Sequence, residues 1–373
     1  MGQAYERSLY PSWDGHGSSR YTVATRAATM RTTGTGVRLM SDRRTGTAKG
    51  PALTTVAVIG NGVMGHGIAQ VFAVAQKQVL LIGRSADSLG RARAHIRASL
   101  DDFVGHSILT EAEATSALGR IAVSTSLADA AQAELVIEAV TEDLALKRAL
   151  FGELDALCPP DVVLASSSGQ PPSALIERVA RRRRVIATHF WYPPQLIPLV
   201  EVCGGPLCDP GVLVWTCAQL RSIGKEPVVI DREIPGFIGN RIQFAMLREA
   251  WSLWASGAAS AEAIDTVVRN TIGRRLGITG PLESADLGGI ETMVQFARSL
   301  QPHLDTAPDP PPRVAELLTH APSVPHVRRG VYDWTQRDDA ALLRARIEEL
   351  FRWLALDRQQ AGWLAFARHD GGA

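Results

Sequence analysis

Residues 56–70 read VAVIGNGVMGHGIAQ, and the rest of the chain is organised around this stretch. The apolar, β-branched run at 55–59 is typical of a strand that is buried on both faces of a parallel sheet. A glycine turn follows at once, and from Val63 onward small and apolar residues continue as a helix. The sequence therefore predicts a strand, a tight turn and a helix in immediate succession.

Gly60, Gly62 and Gly65 form the motif G-x-G-x-x-G between this strand and this helix. In that context the first glycine makes the tight turn, the second lets the backbone approach a pyrophosphate, and the third lets helix and strand pack closely. The helix N-terminus adds free N–H groups and the positive end of its dipole. A glycine-rich loop without a ligand is the alternative, but the flanking strand and helix favour dinucleotide binding.

Length and charge restrict the class of protein. A chain of 373 residues predicts about two domains, and its net charge of +1 gives no electrostatic case for binding nucleic acid or an anionic membrane. No apolar run approaches the roughly 20 residues that span a bilayer. The four cysteines fit neither a CxxC metal pattern nor a secreted disulfide framework. We therefore expect a soluble, cytoplasmic protein with reduced thiols and no metal site.

Residues 1–51 are rich in Ser, Thr, Gly and Arg and show almost no apolar periodicity. This composition predicts a disordered N-terminal extension. An acid-poor leader of this kind is compatible with a transit peptide, but it lacks an obvious amphipathic helix. We favour a dispensable extension or a start codon placed too early, with Met30 and Met40 as alternative starts.

The apolar residues 79–82 (VLLI) predict the second strand, and the residues that follow it bear on the choice of cofactor. In NAD-binding sheets an Asp or Glu usually follows this strand and accepts hydrogen bonds from the adenosine ribose. Here the sequence is Gly83-Arg84-Ser85, with no carboxylate to repel a 2′-phosphate and an arginine to pair with one. This pattern favours NADP(H) over NAD(H), with a solvated turn arginine as the alternative.

Polar side chains follow three further predicted strands, at 135–137, 162–164 and 185–187. Ligands bind beyond the carboxyl ends of parallel strands. We therefore expect Glu142, Ser168 and His189 on the face where the glycine loop holds a nicotinamide. The basic run 181–184 precedes its strand, so we expect it at the opposite edge of the sheet as solvated surface.

The chain then turns back and continues as an apolar strand at 199–202 (LVEV) that contains Glu201. Burying a carboxylate is costly unless it is paired, and the returning strand can bring Glu201 against the imidazole of His189. Such a pair fixes the tautomer and stabilises imidazolium, as a base that takes a proton from an alcohol requires. A Glu201 that faces outward is the alternative.

A change of pattern at 234–236 (IPG) predicts a domain boundary, because the sequence beyond it is helical. Residues 237–254 place an apolar face on one helix, wide enough for a core or a subunit interface; its residues are Ile238, Ile242, Met246, Ala250 and Trp254. We therefore expect an α/β fold, with a Rossmann-type doubly wound sheet over 52–233 followed by an all-α C-terminal domain over 234–373.

Four spaced blocks together resemble the 3-hydroxyacyl-CoA dehydrogenase family. They are Gly60-x-Gly62-x-Met64-Gly65-x-Gly67-Ile68-Ala69, the His189-Phe190 turn, Leu199-Val200-Glu201-Val202, and Pro235-Gly236-Phe237-Ile238-Gly239-Asn240-Arg241. The similarity runs from about residue 54 to about residue 293. Segments 193–201 and 243–251 are more similar to the branch that contains lambda-crystallin (L-gulonate 3-dehydrogenase) and carnitine dehydrogenase.

The resemblance implies roles for four residues in catalysis. His189 is implied as the general base and Glu201 as its orienting partner. Ser168 and Asn240 are implied as hydrogen-bonding partners of the substrate's reacting oxygen and carbonyl. All four residue types are present at the matching positions of this chain.

The residues expected to bind the cofactor come from the glycine loop, the end of the second strand, the nicotinamide side and the turn after His189. They are Gly60, Gly62, Val63, Met64, Gly65, Arg84, Glu142, Lys147 and Tyr192. Two positions depart from the family pattern. Tyr192 stands where the family has an Asn that contacts the ribose, and Gly83 replaces the family's acidic residue.

We expect an NAD(P)-dependent oxidoreductase that interconverts a 3-hydroxyacyl and a 3-ketoacyl compound linked to CoA or to a carrier protein. A dehydrogenase of a free 3-hydroxy acid or sugar acid, of the gulonate or carnitine type, is the second hypothesis. An inactive, crystallin-like nucleotide-binding protein is the third, and the joint presence of the four catalytic residue types argues against it. The resemblance also implies that the helical domain pairs two subunits into a homodimer.

Overall fold

The structure, a computed structural model, describes residues 52–319 and 329–359. The expected extension over 1–51 lies outside the described residues. The first part of the described chain is an eight-stranded sheet with the strand order β3-β2-β1-β4-β5-β6-β7-β8. The strands are β1 (Thr55–Ile59), β2 (Gln78–Ile82), β3 (Ile121–Ser124), β4 (Leu135–Glu138), β5 (Val163–Ser166), β6 (Val185–Phe190), β7 (Leu199–Cys203) and β8 (Glu226–Val229). Neighbouring strands are parallel except β6 and β7, which are antiparallel.

Helices cover both faces of this sheet, which confirms the predicted doubly wound α/β fold. They are α1 (Val63–Val74), α2 (Ala86–Gly105), α3 (Glu111–Gly119), α4 (Leu144–Leu157), α5 (Pro172–Leu175) and α6 (Pro210–Ser222). Val56 and Val58 of β1 pack in a cluster with α1, whereas Ala57 and Ile59 pack in a cluster with α4. A strand between two helical layers needs apolar residues at its buried positions, and residues 56–59 have them.

The turn from β1 into α1 requires glycine at two positions. Gly60 has φ +102°, a conformation that other residues rarely adopt. A Cβ on Gly65 would lie 1.8 Å from the carbonyl oxygen of Gly60, so only glycine lets α1 pass this close to the turn. The N-terminus of α1 consequently lies at the carboxyl end of β1, where the strand order reverses between β1 and β4.

Strand β6 is longer than the sequence pattern predicts. The predicted strand ends at residue 187, whereas β6 continues to Phe190. The extension has a partner, because β7 returns antiparallel and pairs with β6 from Ala187 opposite Cys203 to Phe190 opposite Val200. His189 therefore lies within a strand rather than in a loop after one.

The prediction of a solvated basic run at 181–184 is wrong for Arg184, whose side chain is 5% exposed. Its guanidinium lies 2.8 Å from the carboxylate of Asp155 and also donates to the carbonyl of Val162 at 3.2 Å. These bonds satisfy the buried charge. Arg183, by contrast, is 75% exposed, as expected for solvated surface.

The second part of the described chain is helical, as predicted. Its helices are α7 (Gly239–Ala255), α8 (Ala261–Asn270), α9 (Ile272–Leu276), α10 (Pro281–Leu287), α11 (Ile290–Leu300), α12 (Pro312–Glu316) and α13 (Asp339–Gln359). Phe351 of α13 is buried and packs on α2, with ring centroids 3.9 Å from His106 and 5.1 Å from Phe103. On the predicted apolar face of α7, Ile242 and Met246 are 55% and 47% exposed. None of the helices in the described ranges is long and apolar enough to cross a lipid bilayer.

Candidate active site

The antiparallel pairing of β6 with β7 places Glu201 directly opposite His189. Side chains at opposite positions project from the same face of a sheet, and His189 Nδ1 lies 2.7 Å from Glu201 Oε2. The two side chains are 12% and 2% exposed. An outward-facing Glu201 is therefore excluded. With Nδ1 engaged, Nε2 is the ring nitrogen left to exchange a proton with a substrate.

Glu201 also accepts hydrogen bonds from the start of the helical part. Its Oε1 accepts from the backbone N–H groups of Ile238 and Gly239, both at 2.9 Å. Burial by itself raises the pKa of Glu201, but the hydrogen bond from His189, the two backbone N–H groups and the charge of His189 outweigh it. The pKa of Glu201 therefore lies below its usual range. The result is an anionic carboxylate at neutral pH that joins the histidine to the first turn of α7.

Asn240, the second residue of α7, approaches His189 beside Gly169. A methyl group on Gly169 would lie 3.1 Å from Asn240 Nδ2 and 3.9 Å from His189 Nε2. The backbone N–H of Gly236 donates to the carbonyl of Gly169 at 3.1 Å and ties the two segments together. The amide nitrogen of Asn240 and the second ring nitrogen of His189 thus both lie near the same side of Gly169.

Ser168 directly precedes Gly169 in the chain. Its Oγ donates to Glu142 Oε2 at 2.7 Å and accepts from the backbone N–H of Gln170 at 3.1 Å. Ser168 is 2% exposed, whereas the side chain of Glu142 is 63% exposed. The single hydroxyl proton is engaged by Glu142, so Ser168 can donate to a substrate only when that bond is exchanged.

Lys147, which we expected to bind the cofactor, is buried in an ion pair with Glu138, a residue that sequence reasoning missed. Lys147, 1% exposed, donates to Glu138 Oε1 at 2.6 Å and lies 3.5 Å from Glu142 Oε1. The other oxygen of Glu138 accepts from Ser166 Oγ at 2.6 Å, and Ser166 Oγ accepts from the backbone N–H of Ser168 at 3.2 Å. Glu138 therefore holds both Lys147 and the segment that carries Ser168. The sequence feature that could have identified Glu138 is its position directly after the apolar residues 135–137 of a buried strand.

Lys225, which sequence reasoning also missed, holds the segment between β6 and β7. Its Nζ donates to the carbonyls of Pro194 and Ile197, at 2.6 and 2.8 Å. The residue is 8% exposed, and burial lowers the pKa of Lys225 from 10.5 to about 8. The scarcity of lysine in this chain was the only hint that such a residue has a specific position.

The glycine loop fits the pyrophosphate of a dinucleotide. Around Gly62 there is no atom within 4 Å of the place that a Cβ would take, so a ligand can approach its backbone. Within the described chain, α1 has neither a side-chain N-cap nor an acidic residue in its first turn. Its first N–H groups are therefore open to an anion. Val63 is 57% exposed at this end of α1, and Met64 is half-buried.

Gly83, the first residue after β2, lies against two flexible side chains. A Cβ on Gly83 would lie 2.9 Å from Asn61 Oδ1 and 2.9 Å from a methyl group of Leu89. Arg84 is exposed beside it and forms no ion pair within the described ranges. Tyr192, after β6, is 62% exposed and precedes a cis peptide bond to Pro193.

Comparisons with known proteins agree with the resemblance seen in the sequence. Residues 55–234 match the family described as "3-hydroxyacyl-CoA dehydrogenase, NAD binding domain", and residues 236–334 match "3-hydroxyacyl-CoA dehydrogenase, C-terminal domain". A 3-hydroxybutyryl-CoA dehydrogenase of Bradyrhizobium diazoefficiens is 34% identical over 75% of this chain and 94% of its own. An L-carnitine dehydrogenase of Streptomyces coelicolor is 37% identical over 63% of this chain and 74% of its own, in line with the predicted branch.

A solved structure is also similar. The crystal structure of 5-formyl-3-hydroxy-2-methylpyridine 4-carboxylic acid 5-dehydrogenase, an NAD+-dependent dismutase, aligns with a TM-score of 0.73 and 28% identity, over 83% of this chain and 99% of that one. The two family matches adjoin one another and span both the sheet and most of the helices that follow it. This chain therefore belongs to the 3-hydroxyacyl-CoA dehydrogenase family, whose members are NAD-dependent oxidoreductases that act on CH–OH groups.

Proposed function

We propose that this chain interconverts a 3-hydroxyacyl thioester and the corresponding 3-ketoacyl thioester, with His189 as the general base. One observation carries the proposal. The 2.7 Å contact between His189 Nδ1 and the buried carboxylate of Glu201 leaves Nε2 directed to the space that Asn240 also borders. A histidine, a buried carboxylate and an amide in this arrangement suit proton transfer from an alcohol.

Each side chain has a task in this reaction. In the oxidative direction His189 Nε2 takes the hydroxyl proton, and the anionic Glu201 stabilises the imidazolium that forms. In the reductive direction the imidazolium returns the proton. Asn240 orients the reacting oxygen, and a bound nicotinamide supplies the hydride acceptor. General-base catalysis of this kind contributes about 10²–10⁴-fold to the rate.

Replacement of His189 by alanine tests the assignment. The variant should lose acetoacetyl-CoA reduction by at least about a hundredfold while its dissociation constant for the reduced cofactor, measured by fluorescence, stays the same. His303→Ala, at an exposed position in the helical part, is the matched control and should retain full activity. Unchanged turnover in His189→Ala would exclude His189 as the base.

A free 3-hydroxy acid is the second candidate substrate, and the similarity to an L-carnitine dehydrogenase favours it. The two candidates undergo the same reaction. They differ in whether the acyl group is carried as a thioester or is a free carboxylate, which the protein must recognise. A substrate panel that compares acetoacetyl-CoA with free 3-keto acids, including 3-dehydrocarnitine, separates them. If kcat/KM is higher for a free acid than for acetoacetyl-CoA, the free acid replaces the thioester as the proposed substrate.

For the cofactor we propose a preference for NADP(H) within the NAD-binding fold of the family. The glycine at position 83, which supplies no carboxylate to repel a 2′-phosphate, and the exposed guanidinium of Arg84 support this preference. A charge-assisted bond to the 2′-phosphate predicts that Arg84→Ala lowers kcat/KM for NADPH by about tenfold and leaves that for NADH unchanged. A wild-type preference for NADH would contradict the proposal.

We also propose that two copies of the chain associate through the helical part. Large apolar side chains on α7, α10 and α11 support this, since Phe244, Leu282 and Phe296 are 55%, 81% and 63% exposed. Large apolar side chains that are exposed together on one surface mark protein–protein interaction sites. Sedimentation velocity should show twice the 40.1 kDa mass of one chain, and Phe244→Asp should shift the protein towards the monomer.

For the compartment we propose the cytoplasm. All four cysteines are free thiols, and three of them are buried. Free thiols persist in reducing compartments.

No group of three or more His, Cys, Asp or Glu side chains suited to hold a metal ion is found in the part of the chain that the structure describes.

A further inference from the structure

We propose that Trp191 is a positioning residue that tunes the His189–Glu201 pair through its indole N–H. The inference rests on the proposed function, because it concerns the same base. Trp191 Nε1 donates to Glu201 Oε2 at 3.2 Å, and this is the oxygen that lies 2.7 Å from His189 Nδ1. Two donors therefore share one carboxylate oxygen.

The indole is held in place by its surroundings. A Cβ on Gly239 would lie 2.2 Å from Cζ2 of Trp191, so the ring occupies the space that a side chain at 239 would need. The ring centroid of Trp191 lies 5.5 Å from that of His189, with the two planes tilted by 59°. Trp191 is thus packed between the imidazole and the start of α7.

The shared oxygen has a direct consequence for the base. The groups that face Glu201 in the described chain are His189 from β6, Trp191, Val228 of β8, and the backbone N–H groups of residues 238 and 239. Of these only His189 has an ionisable side chain. Each neutral donor takes up part of the carboxylate charge that otherwise stabilises imidazolium. Removal of the indole N–H should therefore make His189 hold its proton more strongly.

Trp191→Phe tests this, since it retains an aromatic ring and removes the N–H donor together with the second ring of the indole. The measurement is kcat/KM for oxidation of 3-hydroxybutyryl-CoA as a function of pH. Because the base must be neutral to act, the acid limb of the profile should move up by about half a pH unit, which is about a threefold loss of kcat/KM on that limb. The plateau and the dissociation constant for the reduced cofactor should change little.

Two further variants complete the test. Trp353→Phe, at a 37% exposed position on α13, is the matched control, and its profile should coincide with that of the wild type. Trp191→Leu removes both the ring and the donor. An equal shift in the phenylalanine and leucine variants of Trp191 supports the hydrogen-bonding role.

Two outcomes would overturn the inference. One is a wild-type profile in Trp191→Phe, with or without a shift in Trp191→Leu, which would leave the indole as a packing group. The other is full activity in His189→Ala, which overturns the proposed function together with this inference. The two outcomes are distinguishable, because only the second changes the assignment of the base.

Discussion

Replacement of Glu201 by glutamine tests the contact between the Glu201 carboxylate and the His189 imidazole, on which the proposed chemistry depends. Glutamine keeps the shape and one acceptor oxygen but removes the negative charge 2.7 Å from His189 Nδ1. A hydrogen bond to a charged group contributes about 1.5–3 kcal/mol. Because about 1.4 kcal/mol corresponds to a factor of ten in rate, kcat should fall by about 10- to 150-fold. If the new amide N–H₂ turns towards the imidazole, Nδ1 must accept its hydrogen bond, and the ring proton moves to Nε2. Nε2 can then no longer take a proton, and the loss of kcat lies at the upper end of this range.

The same change weakens the start of α7. Oε1 of Glu201 accepts from two backbone N–H groups, and a neutral acceptor binds them less strongly, so the free energy of unfolding should fall by about 1 kcal/mol. The assay is kcat in both directions together with urea unfolding and cofactor binding. Glu177→Gln, whose side chain is 61% exposed and pairs with Arg148, is the matched control. The reasoning is refuted if a folded Glu201→Gln that binds cofactor retains kcat within about threefold of the wild type.

Three further predictions follow from individual positions. Gly65→Ala should abolish cofactor binding in a fluorescence titration and lower the unfolding temperature, because its methyl group would lie 1.8 Å from the carbonyl oxygen of Gly60; normal affinity would contradict the close approach. Gly169→Ala should keep cofactor affinity but lower kcat by about tenfold or more, because its methyl group would lie 3.1 Å from Asn240 Nδ2, in the space assigned to the substrate; an unchanged kcat would show that the reaction does not use this space. Burial lowers the pKa of Lys225 from 10.5 to about 8 in the folded chain. Between these two pH values the unfolded chain binds the proton more strongly than the folded chain does. The free energy of unfolding should therefore rise with pH in this range. Urea unfolding of Lys225→Met should lack this rise, and equal slopes in the two proteins would be evidence against the shifted pKa.

Helix α2 shows how much of the fold follows from local pattern. Its apolar residues at helical spacing predict a helix over 87–104, and the structure has one at Ala86–Gly105. Leu89, Ile96 and Phe103, three of those residues, are at most 3% exposed. Periodicity sufficed here because the position of each side chain depends on neighbours within two turns.

Arg184 shows where local pattern is insufficient. Its charged neighbours in sequence indicate surface, yet it is buried because Asp155, on α4, lies 2.8 Å away. The end of β6 is a second case, since its last residues are in a strand only because β7 returns to pair with them. In both cases the deciding partner comes from another element of the chain.

The sequence by itself determined the doubly wound sheet, the glycine turn, the change to a helical part after residue 234 and the family. These depend on composition, periodicity and motifs that are contiguous in the chain. Only the tertiary structure decided that Glu138 pairs with Lys147, that Trp191 and His189 share one oxygen of Glu201, and that Lys225 holds the segment before β7. The physical reason is that a hydrogen bond requires atoms to lie about 3 Å apart in a fixed orientation, and that separation is set by how whole strands and helices pack.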